Sequence, residues 1–514
     1  MKKLIIKNSF YSLLDLIITI LISILIPKIF VLGMDMELYG LFITLTLFSS
    51  YGILTMIDFG MGGAIVVFAA RYFSTDKNKL NRLWTFSFIY YFIVSLFAII
   101  IALLIINCYD LNIKNKLIEL NISISILIPT LILIGFGFLS YFGDSFLLGF
   151  NDYKFLKLFS IIQNFIRFIL IFIIIKYVKK IEPIIWITSV LSILKFFITV
   201  FYINKKYHEL RIFNKLKLNE VKEWFRYSII LMISNINGFA FNYFNRILIT
   251  IYLPISDMGN FDVISKPQKL IHNISTSLTS TIIPISSHYS AINEKEKIIK
   301  IFTNGSFWSN LLVMPTVIFI TIFMKDIFNI WLSSKYSELY FYAQILMISF
   351  FTFHLTANLA NMIIVGIGKA QKIISLQVLG SILTIILEFL GIYYYGFKGI
   401  VIAYSIGTIF ITIGYILITN KILNIDWFKF KNQFLIPNLK IIIPSLVLVF
   451  IIKLLSFNIN LIMLIMLFIL YSLILYSYYY IYLINQEEKE FLHNSFEQIV
   501  SKIKVTFNNF YFPE

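Results

Sequence analysis

The chain has 514 residues, of which 59% are hydrophobic and only 13% charged. Soluble domains carry about 25% charged residues, so this composition excludes a soluble globular protein and points to a polytopic membrane protein. The net charge of +17 is then assigned to cytoplasmic loops rather than to nucleic-acid binding. The single cysteine, Cys108, excludes an intramolecular disulfide and a cysteine metal cluster.

Fourteen apolar segments are expected, near residues 9–32, 39–69, 83–106, 121–149, 157–178, 183–203, 224–252, 266–290, 300–324, 338–366, 372–395, 398–420, 439–456 and 459–484. About 20 residues at 1.5 Å rise cross a hydrocarbon core of about 30 Å. The start, MKKLIIKNSFYSLLDLIITILISILI, is apolar for too long and lacks the small-residue site of a cleavable signal, so it reads as the first span. The second carries Asp58 before Phe59-Gly60-Met61-Gly62-Gly63, where a break in the helix is expected. The eighth, LIHNISTSLTSTIIPISSHYS, is the weakest, and it is accepted because of the repeat described below.

With the N-terminus placed in the cytoplasm, about 28 of the 43 Lys and Arg fall in inside segments. Both termini are therefore expected to be cytoplasmic, with an even number of spans. The short loop 176–182, with Lys179 and Lys180, runs against the pattern. No loop is long enough for a soluble domain. The longest hydrophilic connection, 204–223, is basic. It reads equally as a solvated loop or as an amphipathic helix on the cytoplasmic face with Leu210, Phe213, Leu216 and Leu218 toward lipid.

The seventh segment, Tyr227 to Tyr252, is too polar to face lipid. It carries Asn235, Asn237, Asn242, Asn245 and Arg246. Asn235, Asn242 and Arg246 stand at i, i+7 and i+11, one face of a helix. A charge near mid-bilayer costs roughly 2.5–3.5 kcal/mol on insertion scales, so this face requires a protein or water-filled neighbour.

The chain also repeats itself. Leu38-Tyr39-Gly40 matches Met258-Gly259-Asn260-Phe261, a shift of 219 from Gly40 to Gly259. Leu148-Gly149 matches Val365-Gly366 at 217, and Ser189 and Asn204-Lys205 match Ser405 and Asn420-Lys421 at 216. The unit is six spans, an even number, so both copies run the same way through the membrane. The expected fold is all-α, with two six-helix bundles as a parallel internal repeat and two added C-terminal helices. The expected divisions are 1–204, a basic linker 205–223, 224–421, the added pair 422–484 and a cytoplasmic tail 485–514.

Besides Arg246, the ionisable residues at membrane depth are Asp15, Lys28, Asp58, Asp144, Arg167, Lys195 and Glu388. Each serves as a structural partner within the bundle, as a lining group of a cavity or, near a span end, as a side chain snorkelling to the interface, the reading for Lys28 after Pro27. Arg offers a planar fork for phosphate oxygens. The tyrosine runs 393–395 and 478–480 fit interfacial belts. His288 and His354 lack metal-ligand spacing, so no metal is expected. There is no phosphate-binding G-x-x-x-x-G-K-[ST], no H-E-x-x-H and no G-x-S-x-G. These features point to a carrier rather than an enzyme.

At this point the sequence resembles a known family. Leu38-Tyr39-Gly40, followed by ILTMIDFGMGGAIVVFAARYFS over 53–74, is similar to the second-span pattern of the bacterial polysaccharide flippases. These are the O-antigen and capsule repeat-unit exporters of the multidrug/oligosaccharidyl-lipid/polysaccharide superfamily. FNRILITIYLPISDMGNFDVISKPQKLI resembles their seventh-to-eighth-span signature, and LLGFNDYKFLK the turn after their fourth span. The resemblance runs over nearly the whole chain. It implies two six-helix bundles in a V around a central cavity, in the bacterial inner membrane. It also implies transport of an undecaprenyl-pyrophosphate-linked oligosaccharide to the outer leaflet by alternating access.

On that reading Arg246, with Lys195 or Arg167, neutralises the pyrophosphate. Asn235, Asn242 and Asn245 hydrogen-bond sugar hydroxyls, and Asp15, Asp58 or Glu388 couples a proton or sodium gradient. The family often has an aspartate where Asn245 stands. Its absence leaves Arg246 without an adjacent negative partner, which favours an anionic ligand. No other cofactor is expected. Expected partners are membrane lipids, a glycan polymerase and its chain-length machinery. The alternatives are a cation-coupled multidrug exporter of the same superfamily, and a membrane glycan polymerase or ligase, for which no sizeable outer loop is present.

Overall fold

The computed structural model describes residues 2–47, 58–108, 124–207, 210, 214–239, 243–455, 459–490 and 493. Every regular element among them is helical. In chain order these are α1 (Lys2–Gly33), α2 (Met36–Leu47), α3 (Met61–Thr75), α4 (Lys77–Cys108), α5 (Ile124–Gly149), α6 (Tyr153–Tyr177), α7 (Glu182–Lys206), α8 (Leu218–Phe239), α9 (Asn245–Tyr252), α10 (Ile255–Thr279) and α11 (Ile282–Ala291). There follow α12 (Lys295–Ile322), α13 (Met324–Leu332), α14 (Leu339–Gly366), α15 (Ala370–Leu423), α16 (Trp427–Leu455) and α17 (Leu461–Tyr482). Ten helices among the described residues are long and apolar enough to cross a membrane.

One of the ten, the 54-residue α15, is two antiparallel arms. Gly396, with φ 57° and ψ −134°, reverses the chain between them. A methyl group on Gly391 would fall 2.6 Å from the Gly399 carbonyl oxygen, and Gln377 Nε2 donates to Tyr415 Oη at 2.8 Å. Those pairings are symmetric about the turn, so the arms are the expected spans near 372–395 and 398–420.

The eighth expected segment consists of two shorter helices, α10 and α11, and among the described residues the second is represented by α2 and α3 and the seventh by α8 and α9. The break before α3 is built by Asp58. Its carboxylate accepts from the backbone N–H of Gly60 at 2.7 Å and of Gly62 at 3.0 Å, satisfying donors that a helix start leaves free. The eighth segment begins at Ile255, not near 266. Its first turns carry Asp257, Asn260 and Asp262 and look like a loop by hydropathy; they are helical because those polar groups are paired inside the protein. In the basic linker the described residues Tyr207, Leu210 and 214–217 form no helix, and α8 starts at Leu218. Leu216 and Leu218 are exposed, Leu210 packs on the core, and Phe213 lies outside the described residues.

Contacts gather the chain into two compact units. One comprises Met1–Leu270, Trp331–Phe350 and Lys369–Tyr415; the other comprises Ile271–Ile330, Phe351–Gly368 and Ile416–Glu514. The sequence boundaries at 204, 224 and 421 follow the repeat and are a different division of the chain. In the first unit α5 lies between α4 and α7, and α1 lies along α6. Trp84 packs against Phe142 and Phe146 with ring centroids 4.5 and 4.8 Å apart. In the second unit α12 packs on α16, and α16 on α17. Two π-turns, 353–357 and 431–435, meet a shared pair of asparagines. Asn310 Nδ2 donates to the Leu355 carbonyl at 3.1 Å and to Asn438 Oδ1 at 2.8 Å, and Asn438 Nδ2 donates to the Phe434 carbonyl at 2.8 Å. His354 is a packed, hydrogen-bonded residue: its Nδ1 lies 2.6 Å from Ser275 Oγ.

The internal repeat is visible in the backbone. Gly149 ends α5 where a methyl would fall 3.0 Å from the Val66 carbonyl oxygen and 2.8 Å from Ala69 Cβ. Gly366 ends α14 where a methyl would fall 2.6 Å from the Ile283 carbonyl oxygen and 2.8 Å from Ser286 Cβ. All three partners in each set are related by the same shift of 217. Left-handed residues follow the same rule: Asn151 (φ 57°) answers Gly368 (φ 75°), and Lys179 (φ 52°) answers Gly396 (φ 57°). The same close helix contact and the same turns were therefore built twice.

Candidate functional site: a buried cationic set around Asp262

On α10, Asp262, Lys266 and Lys269 are spaced by four and then three residues, so they share one face. The short helix α9 brings Arg246 to that face, and α2 brings Tyr39. Asp262 is 6% exposed and Arg246 8%. Arg246 Nη2 stands 2.9 Å from Asp262 Oδ1. Lys266 Nζ stands 2.8 Å from Oδ2, and the Tyr39 hydroxyl donates to the same oxygen at 2.6 Å. Lys269 is within electrostatic reach of Arg246, Asp262 and Lys266. Among the described residues it has no carboxylate at ion-pair distance.

A buried charge is tolerated only when it is paired and hydrogen-bonded. Here Arg246 and Lys266 share one carboxylate and Lys269 stands beside them, so the set is short of negative charge. An anion with several oxygens would correct that shortage, and the Arg246 fork suits it. Beside the set, Gln268 Nε2 donates to Tyr404 Oη at 3.4 Å. Tyr404 is within electrostatic reach of both Arg246 and Glu388. Glu388 is fully buried, on the first arm of α15, and neither carboxylate oxygen has a hydrogen-bond partner among the described residues.

The residues expected from the sequence fall into three groups. Arg246 and Asn245 lie in this set's helix α9, both buried. Arg246 is not without a negative partner, as the missing aspartate at 245 implied. Its partner is Asp262, sixteen residues on, because the turn between α9 and α10 folds that helix back beside it. Lys195 and Arg167 are not brought to Arg246. Lys195 Nζ pairs with Asp144 at 2.6 Å, and Arg167 donates to Asn164 Oδ1 at 3.1 Å. Asn242 lies outside the described residues, as does the side chain of Asn235.

Of the three coupling candidates, Asp15 pairs with Lys157 Nζ at 2.9 Å and Asp58 caps α3. Only Glu388 has both oxygens unengaged. Among the described residues no group of three or more His, Cys, Asp or Glu could hold a metal ion. Sequence reasoning missed Asp262, Lys266, Lys269 and Tyr39. The i, i+4, i+7 spacing was present, but hydropathy had placed the first of them in a loop.

Fold and site together define an all-α, multi-pass membrane protein with a cationic set gathered around a buried carboxylate. The fold matches that of a lipid II flippase, MurJ, in an inward closed conformation, with a TM-score of 0.70 at 19% identity, over 93% of this chain and 100% of that one. An inward-facing multidrug resistance MATE family transporter of the MOP superfamily matches with a TM-score of 0.58 at 14% identity, over 81% and 94%. The chain belongs to the family described as polysaccharide biosynthesis protein, whose model matches residues 5–290. A curated relative, the probable low-salt glycan biosynthesis flippase Agl15 of Haloferax volcanii, is 27% identical over 123 residues. That match spans 24% of this chain and 26% of the relative.

Proposed function

We propose that the protein is a flippase that carries an undecaprenyl-pyrophosphate-linked oligosaccharide from the cytoplasmic to the outer leaflet of a bacterial inner membrane. The observation that carries this reading is the set of buried Arg246 and half-buried Lys266 and Lys269 around the single buried carboxylate of Asp262. Arg246 and Lys266, with Lys269 beside them, outnumber the one carboxylate, so the set keeps a net positive charge. A pyrophosphate diester carries two negative charges at neutral pH. A lipophilic cation, the cargo of the multidrug alternative, would be repelled by the same set.

Alternating access moves the head group while the polyprenyl tail stays in lipid. Family membership and the fold shared with the lipid II flippase support this reading. Asn245, Gln268 and Tyr404 supply neutral hydrogen-bonding groups beside the cations, suited to sugar hydroxyls. Glu388 is the coupling carboxylate on this reading, since a buried acid without partners exchanges a proton or holds a sodium ion at the lowest cost to other contacts. Polymerase and chain-length proteins would act on the delivered units, and both termini lie in the cytoplasm.

Deletion of the gene tests the reading through analysis of lipid-linked intermediates. Complete repeat units should accumulate on the cytoplasmic side. Normal surface glycan together with altered drug tolerance would overturn it in favour of the multidrug exporter.

A further inference from the structure

Asp262 faces two ways. Its Oδ1 receives Arg246, while its Oδ2 receives both Lys266 and the hydroxyl of Tyr39 at 2.6 Å. Tyr39 belongs to α2, which meets the start of α10 with no side chain between the backbones. A methyl on Gly40 would collide with the Ile255 carbonyl oxygen and come within 3.1 Å of Gly259 N. A methyl on Gly259 would fall 2.8 Å from the Met36 carbonyl oxygen. The glycine contact brings the two backbones together, and the Tyr39–Asp262 bond is a side-chain tie one turn further along α10. The cationic set and this helix contact therefore share one carboxylate.

We propose that the Tyr39–Asp262 hydrogen bond is a latch between α2 and α10, released when a pyrophosphate group takes Arg246 and Lys266 away from Asp262. The inference rests on the reading of the cationic set as a pyrophosphate site. A pyrophosphate offers more charge and more acceptor oxygens than one carboxylate, so it wins the Arg246 fork and the Lys266 ammonium. Asp262 is then a buried carboxylate beside an anion, without the cations that held it. Like-charge repulsion drives it out of its present position. The hydroxyl of Tyr39 has one proton to donate, and it is left without the acceptor that fixed it. α2 is then no longer tied to α10, and the cargo itself has signalled its arrival to the helix contact. Tyr39 is thus a positioning residue that links binding to movement.

Linkage supplies a sharp test. If binding breaks the latch, breaking the latch beforehand must tighten binding by the same factor. Tyr39→Phe removes the bond and no charge. Binding of inorganic pyrophosphate to the purified full-length protein is measured by calorimetry at fixed ionic strength, with chloride as the control anion. The expected result is a gain in affinity of about ten- to hundredfold for Tyr39→Phe, the range of a hydrogen bond to a charged group.

In a Cys108→Ser background, Met36→Cys places a thiol at a position that is 4% exposed at the helix contact. Its labelling by a maleimide should accelerate severalfold with pyrophosphate. The same acceleration should appear without pyrophosphate when Tyr39→Phe is added. A purely structural tyrosine would lower affinity or leave it unchanged, and that result overturns the latch while the site reading stands. Absence of pyrophosphate binding in the wild-type protein overturns both.

Discussion

Arg246 and Asp262 stand 2.9 Å apart, both nine-tenths buried, with Lys266 on the other oxygen of the same carboxylate. The pair makes Arg246 available in a fixed orientation without neutralising the whole set. Arg246→Ala should therefore abolish most transport, scored as surface glycan at equal protein level, with a loss of at least about tenfold. Arg246→Lys keeps the charge but not the fork and should retain a minor fraction. Full activity of the alanine variant would remove Arg246 from the site.

Lys269 and Lys195 separate function from structure. Lys195 is paired with Asp144 at 2.6 Å, and its removal strands a buried carboxylate. Lys195→Ala should cost about 3–5 kcal/mol, read as a lowered Tm. Lys269 has no such pair among the described residues, so Lys269→Ala should weaken pyrophosphate binding with little change in Tm. The reverse pattern would contradict the assignment.

Glycines at the repeated helix contact should be sensitive in both copies. Gly366→Ala places a methyl 2.6 Å from a backbone oxygen, and Gly149→Ala places one 3.0 Å from its counterpart. Neither oxygen can swing aside as a side chain would. Each variant should lose about 1–3 kcal/mol of stability, seen in the melting of the purified protein. Gly238 is the control, because nothing lies within 4 Å of its added methyl. Gly238→Ala, next to the C-terminal residue of α8, should leave the Tm nearly unchanged.

Glu388→Gln tests coupling. Replacing the carboxylate with a neutral amide of the same shape should leave binding of pyrophosphate intact. Transport should lose its dependence on the ion gradient, measured by adding an uncoupler or replacing sodium. Unchanged gradient dependence would exclude Glu388 as the coupling group.

Much of this was legible in the residues themselves. Hydrophobic length gave the long spans, because a stretch such as Leu461–Tyr482 has no other stable fate than a membrane helix. The repeat was legible in three glycine and serine correspondences, and the contacts of Gly149 and Gly366 show why glycine was kept: two backbones approach too closely there for a side chain. The polarity of Tyr227–Tyr252 marked Arg246 in advance, since a charge on an apolar helix demands a partner. Which partner it found was decided by tertiary structure alone. Asp262 sits sixteen residues away in a segment whose hydropathy resembles a loop, and only the turn between α9 and α10 sets its carboxylate against the guanidinium. Lys195 and Arg167 looked equivalent to Arg246 by depth and charge, yet packing gave them Asp144 and Asn164. Burial and periodicity are properties of single helices and can be read along a chain. The sharing of one carboxylate among Tyr39, Arg246 and Lys266 belongs to three helices at once, and no linear pattern encodes it.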